Sequence, residues 1–353
     1  MIRVGVVGYG LAGRVFHAPL IATVEGLELA AVVERSGRTA EQAYPGITTY
    51  PSLEALLGDT TIELVVIATP PATHVPLAHE ALRAGRHVVV DKPVAPNSVE
   101  LAGLISSAAD AGRLLIPFHN RRWDSDYQTL QKVMHEGTLG RVVSLESTFD
   151  RWKPGIRKQF WKEDGTAGGG HLLDIGTHLA DQALHLFGMP EVVLAVIRSE
   201  REEAITDDAF TIHLRYQEML VTLSSNCLAT LPRPRFLIRG TQGNFMKWGL
   251  DPQEARLKEN PHSNPEEWGV EPESAWGELA AFDGERPVGG KVPSVPGAYR
   301  LYYAGVRDAI LGKSAPPVAA VDAWKVARLL EWAVESSKER REIACDWSGQ
   351  PKV

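Results

Sequence analysis

The sequence predicts an α/β protein: a Rossmann domain with a doubly wound parallel sheet, then an α+β domain with a mostly antiparallel open sheet. Three observations carry this. Apolar, β-branched runs alternate with helix-like stretches over residues 1–120, as a parallel sheet covered on both faces requires. The first run, Ile2 to Val7, passes directly into Gly8-Tyr9-Gly10-Leu11-Ala12-Gly13. Beyond Phe118 the alternation ends and strand-like runs follow one another with few helices between them.

Taken in order, strands are expected at residues 29–33, 64–68, 87–90 and 114–118, with helices at 75–84 and 98–111. Ser98 is expected to cap the second of these helices, and Pro19 to shorten or kink the helix after the glycine turn. These elements make a dinucleotide-binding domain over 1–120. A substrate-binding and oligomerisation domain takes 121–353. There, helices are expected at 125–136, 171–187, 297–311 and 321–338, and strands at 141–149, 192–198, 209–214, 220–223 and 236–239. Residues 250–297, rich in Pro, Gly, Glu and Trp, read as an irregular excursion, and so long a segment is expected to cover something.

Composition narrows the partners. A net charge of −7 argues against nucleic acid and anionic membrane surfaces. No apolar run reaches the length of a membrane span, and because the first strand is expected at the start of the sequence, no signal peptide is expected. Two cysteines, Cys227 and Cys345, suit a reducing compartment, so the cytoplasm is the expected location.

The glycine turn is specific in its setting. Gly8 permits the tight turn, Gly10 lets backbone approach a pyrophosphate, and Gly13 lets the helix pack close to the strand. The helix start at Leu11 and Ala12 offers N–H groups and positive dipole to the anion. Glu34, at the end of the next strand, stands where a ribose-binding carboxylate belongs, with Arg35 beside it. The dinucleotide is NAD or NADP. Glu34 favours NAD, because it would sit against a 2′-phosphate, whereas Arg35 and Arg38 could pair with that phosphate.

Other polar residues gather at strand ends, where ligands of a doubly wound sheet bind. Asp91-Lys92-Pro93 ends one strand, Thr69, Pro70 and His74 follow another, and His119-Asn120-Arg121-Arg122-Trp123 follows the last. In the second domain His171, Asp174, His178, Asp181 and His185 fall on one face of a helix, opposite Leu172, Ile175, Leu179 and Leu186. That stripe is either a solvated surface or a site, and a His-Asp-His face could also ligate zinc, although no familiar ligand set is completed. Asn120, Arg122, Trp152 and Trp161 are candidates for a substrate wall, with Arg122 alternatively pairing with Asp124 or Asp126.

These motifs resemble the Gfo/Idh/MocA oxidoreductases, over essentially the whole chain. Val15-Phe16-His17-Ala18-Pro19-Leu20, Phe118 to Asp124, and Gly249-Leu250-Asp251-Pro252-Gln253-Glu254 with Trp268-Gly269 are similar to the subgroup containing NADP-dependent scyllo-inositol dehydrogenases. The resemblance implies a two-domain dehydrogenase for a polyol, inositol or sugar, whose Lys, Asp and His are Lys92, Asp174 and His178. It also implies a homodimer or higher homo-oligomer formed through the exposed face of the second sheet. Two positions depart from the pattern: Asp91 stands where many relatives have Glu, and Glu34 where NADP users tend to have a small hydroxyl residue.

The expected chemistry has His178 taking the hydroxyl proton, Asp174 holding a substrate hydroxyl, and Lys92 stabilising the developing alkoxide. Lys92 as the acid/base is the second assignment. Rival readings are a glycoside-cleaving enzyme with recycled NAD, a non-catalytic dinucleotide sensor, and a metal-dependent isomerase or hydrolase.

Overall fold

The computed structural model describes residues 1–156, 163, 165 and 169–351. The first sheet has six parallel strands: β1 (Ile2–Val7), β2 (Leu27–Val33), β3 (Thr48–Tyr50), β4 (Leu64–Ile67), β5 (His87–Val90) and β6 (Leu115–Pro117). Their order is β3-β2-β1-β4-β5-β6, so the chain reverses direction beside β1, and the ligand crevice opens at that point. Alternate residues feed two cores. Val4, Val6, Leu64, Val66 and Val89 face one side, and Val65, Ile67, Val88 and Val90 the other.

The helices of this half are α1 (Ala18–Ala22), α2 (Thr39–Ala43), α3 (Leu53–Leu57), α4 (His74–Arg83) and α5 (Ser98–Asp110). Two sequence expectations are corrected here. The segment after the glycine turn is a π-helical turn, Gly13–His17, before α1 begins. The cap of α5 is Asn97, whose side chain accepts from the Glu100 N–H at 2.8 Å; the Ser98 hydroxyl instead donates to Glu331.

The second sheet has nine strands: β7 (Val142–Thr148), β8 (Val192–Arg198), β9 (Ala209–Tyr216), β10 (Met219–Asn226), β11 (Phe236–Gly240), β12 (Gly243–Lys247), β13 (Gly277–Phe282), β14 (Pro287–Val292) and β15 (Ile343–Ala344). Their order is β14-β13-β12-β11-β7-β10-β9-β8-β15, and only β7 and β10 pair in parallel. One face carries a core shared with α6 (Ser125–His135), α7 (Thr177–Phe187) and α10 (Ala320–Glu339).

The excursion at 250–297 is more regular than the sequence suggests. It contains α8 (Gln253–Glu259), β13 and β14. It also covers the first half of the chain. Leu257 and Trp268, with Tyr299, Tyr302, Tyr303 and Val306 around α9 (Arg300–Ile310), are buried in the core beneath β1 and α1. Trp324 of α10 enters the core on the other face. Burying side chains of this size contributes about 2–3 kcal/mol each, so apolar packing holds the later segments of the chain against the first sheet. Among the described residues no helix is long and apolar enough to cross a membrane.

Candidate active site

A cleft of about 450 Å³ runs from the glycine turn to the start of α7. At one end it is lined by Gly10, Leu11, Ala12, Thr69 and Pro70, then by Asp91, Lys92 and Asn120, and at the far end by His171, Asp174 and His178.

The turn is built for a dinucleotide. Gly8 adopts φ +99°, a conformation that L side chains rarely take, and a Cβ there would meet the Ala68 carbonyl at 2.9 Å. A Cβ on Gly13 would lie 2.1 Å from the Gly8 carbonyl oxygen, so only glycine lets the helical turn close on the strand. A Cβ on Gly10 would meet nothing within 4 Å; a side chain there would fill the open cradle that a pyrophosphate needs. Gly8 and Gly13 thus shape the turn from behind, and Gly10, Leu11 and Ala12 form its lining.

Glu34 and Arg35 flank the turn outside the lined cleft. The Glu34 carboxylate accepts from the Thr39 hydroxyl at 2.5 Å and the Ala40 N–H at 3.2 Å, which holds it against the start of α2; Arg35 is exposed. His74 does not reach the cleft lining. It is buried, with Nδ1 2.8 Å from the Pro93 carbonyl and Nε2 2.8 Å from the Thr69 carbonyl, and so ties together the loops after β4 and β5. The Lys92–Pro93 peptide is cis.

The Lys92 ammonium crosses to the second half of the chain. It donates to the Asp174 carboxylate at 2.8 Å and to the Asp174 carbonyl at 2.6 Å. Asp174 lies in a π-helical turn, Leu172–Gly176, that leads into α7. Asp174 and His178 are four residues apart, about one turn, and both line the cleft on the Lys92 side. His178 is buried, and its Nδ1 has no hydrogen-bond partner, which leaves Nε2 as the nitrogen open to the cleft. Burial, reinforced by the Lys92 and Arg121 charges, holds its pKa well below the ordinary histidine value, so the ring is neutral.

His171 lines the same end, bonded through Nε2 to the Ser225 hydroxyl at 2.7 Å, and burial pushes its pKa down to about 4.

The stripe expected from helical spacing divides within α7, between His178 and Asp181. Asp181 and His185 point away from the cleft into a separate cavity of about 200 Å³. Ile175, expected on the apolar face, lines the cleft. Arg122 is also in that second place and leaves the substrate wall. Its guanidinium donates twice to Asp181, at 2.9 and 2.7 Å, and once to Asp322 at 3.2 Å. The pairing with Asp124 or Asp126 is corrected too. Asp124 pairs with Arg121 at 3.1 Å, and Asp126 with Arg235 at 3.3 Å.

Trp152 is half-exposed and does not line the cleft, and Trp161 lies outside the described residues. Its neighbours Arg151 and Lys153 do line the cleft. Alternation along extended chain could have found them, because Trp152 and Leu228 form a bridge and adjacent side chains there point opposite ways. Arg121 and Glu254 were also missed. They pair at 2.7 Å across the cleft wall, and although burial opposes it, Arg121 and Lys258 hold the Glu254 carboxyl at about 2. Among the described residues no group of three or more His, Cys, Asp or Glu side chains is placed to hold a metal ion.

Residues 2–119 match the oxidoreductase family with an NAD-binding Rossmann fold, GFO/IDH/MocA, and residues 127–246 match the GFO/IDH/MocA C-terminal domain. The oxidoreductase YdgJ of Escherichia coli, described as uncharacterized, is 42% identical over 97% of this chain and 98% of its own. The chain belongs to the GFO/IDH/MocA oxidoreductase family. Another member, scyllo-inositol 2-dehydrogenase (NADP(+)) IolW of Bacillus subtilis, is 34% identical over 97% of this chain and 95% of its own. The solved structure of yvaA from Bacillus subtilis superposes with a TM-score of 0.94 at 34% identity, covering 98% of each chain. This GFO/IDH/MocA protein is therefore an NAD(P)-binding oxidoreductase, and the cradle at Gly10 fits the dinucleotide.

Proposed function

We propose that this oxidoreductase interconverts a secondary alcohol of a polyol, inositol or sugar with the matching ketone, using NAD or NADP. The observation that carries the reading is the bond from Lys92, of the dinucleotide-binding half, to Asp174, one turn before His178. A bound nicotinamide supplies or accepts the hydride. His178 Nε2 takes the proton as the hydroxyl O–H bond breaks. The Lys92 ammonium, already oriented by Asp174, donates to the oxygen that becomes alkoxide and then carbonyl. The Asp174 carboxylate also accepts from a second substrate hydroxyl. The relative named as an inositol dehydrogenase supports a hydroxyl-rich ring as substrate.

The test is a panel of inositols and aldoses assayed with NAD and NADP separately, following reduced nicotinamide by absorbance. Net reduction with at least one secondary alcohol is expected. Release of sugar from glycosides with no net absorbance change would instead establish the glycoside-cleaving reading. The same assay addresses cofactor choice. At an effective dielectric near 20, like charges 4 Å apart cost about 4 kcal/mol, and solvent screening of the half-exposed Glu34 reduces this to about 1–2 kcal/mol. Glu34→Ser is therefore expected to raise the NADP-over-NAD ratio of kcat/KM about tenfold, whichever cofactor the parent prefers.

The outer face of the second sheet supports a homodimer, with Leu194 and Val196 of β8 and Leu220 of β10, on either side of β9, partly or half exposed. Light scattering is expected to give about twice the monomer mass, and Val196→Glu with Leu220→Glu to give the monomer. A monomeric parent would reject this assembly.

A further inference from the structure

Arg151 is a charged side chain of the cleft that the dehydrogenase chemistry leaves unused. It follows β7, and its backbone is fixed on both sides: its N–H donates to the Asn226 carbonyl at 3.0 Å, and its carbonyl accepts from the Ala229 N–H at 3.0 Å. Its guanidinium centre lies 4.8 Å from the centroid of the buried Phe149 ring. The guanidinium makes no hydrogen bond to any described residue, and its nearest carboxylate oxygen, Asp174 Oδ2, is 3.7 Å away. The other arginines of the cleft are matched. Arg121 pairs with Asp124 and Glu254, and Arg201 with Asp208 and Glu163. Asp174 itself is bonded to Lys92. A side chain only 21% exposed therefore presents a planar fork of N–H donors, and a full positive charge, to the substrate end of the cleft.

We propose that the substrate carries a carboxylate, which Arg151 grips while His178 and Lys92 address a neighbouring hydroxyl. This rests on the polyol-dehydrogenase reading and narrows it to sugar acids and polyol acids. A hydroxyl could accept from Arg151 but would return no charge, and a buried cation only partly compensated, by an Asp174 carboxylate that Lys92 shares, is costly. Burial, with Arg121 nearby, holds the Arg151 pKa below its ordinary value although Asp174 pulls the other way, which is the mark of a charge still lacking its full counterpart. A carboxylate supplies one negative charge and two coplanar acceptors, the pattern a guanidinium fork fits best.

The experiment compares matched acid and neutral substrates, D-gluconate against D-glucitol and D-glucuronate against D-glucose, in the parent enzyme with NAD and NADP. The parent is expected to favour the acids in kcat/KM. Arg151→Gln is expected to lower the acid-over-neutral ratio about a hundredfold, and Arg151→Lys to give an intermediate ratio, since it keeps the charge and loses the fork. Taking a ratio cancels any general loss from disturbing Asp174. A parent that favours the neutral partners, or a ratio unchanged in Arg151→Gln, would overturn the inference and leave the dehydrogenase reading intact.

If no substrate turns over, calorimetric titration of D-gluconate into the dinucleotide-loaded protein decides the matter separately. Binding weakened about a hundredfold in Arg151→Gln upholds the carboxylate site while the dehydrogenase reading falls. No binding, or equal binding in both proteins, overturns the site.

Discussion

His178→Ala is expected to lower kcat about a thousandfold while dinucleotide affinity changes by less than about threefold, measured by steady-state rates and by fluorescence titration of the reduced cofactor. His178 sits at the end of the cleft remote from the Gly10 cradle, so its loss removes a proton acceptor and leaves the dinucleotide contacts in place. A kcat within tenfold of the parent would transfer the acid/base role to Lys92. The pH profile separates the two assignments further. Because burial and the Lys92 charge hold the imidazole pKa well below 6.5, His178 stays deprotonated as pH falls from 8 to 6, and kcat/KM for alcohol oxidation is expected to stay flat over that range. A lysine acceptor would instead make the rate climb with pH.

The same burial makes folding acid-sensitive, and the sign is fixed by the unfolded chain. An unfolded histidine takes up its proton near pH 6.5, whereas His171 in the folded protein does so only near pH 4. Between those values the unfolded state binds more protons, so the stability from this group is complete above pH 6.5 and is lost as pH falls towards 4. The amount is about 3 kcal/mol for His171, and the depressed pKa of His178 adds in the same direction.

The second large effect concerns stability. Arg122→Met is expected to cost about 3–5 kcal/mol in urea unfolding, because it strands Asp181, whose side chain is only 3% exposed, without its two-pronged partner. Arg122→Met combined with Asp181→Leu is expected to recover most of that loss, since no buried charge then stands alone. If Arg122 belonged to the substrate wall, the single change would raise KM in the folded enzyme and leave the urea midpoint close to that of the parent.

Arg122 also shows where sequence reasoning stops. Its carboxylate neighbours along the chain, Asp124 and Asp126, invited a local pairing, yet its partners Asp181 and Asp322 arrive from α7 and the start of α10. Only the packing of three separate segments decides which charges meet. The histidine–aspartate stripe failed in a related way. Helical spacing puts His171 through His185 roughly on one face, but His178 and Asp181, three residues apart in α7, diverge by about 60° around the helix, and the structure gives Asp174 and His178 to the cleft and Asp181 to another cavity. Residues 250–297 read as irregular because short elements under tertiary control carry little periodicity of their own.

By itself the sequence determined the parallel sheet, the glycine turn and the placing of Lys92 at the mouth of β5, because each depends on contacts within a strand, a turn or one strand–helix unit. What the tertiary structure alone decided is which distant side chains face one another: Lys92 with Asp174, Arg122 with Asp181, and Arg151 with Asp174 at the longer distance of 3.7 Å. Local patterns fix direction along the chain, whereas charge partnerships across a cleft depend on how segments distant in sequence pack.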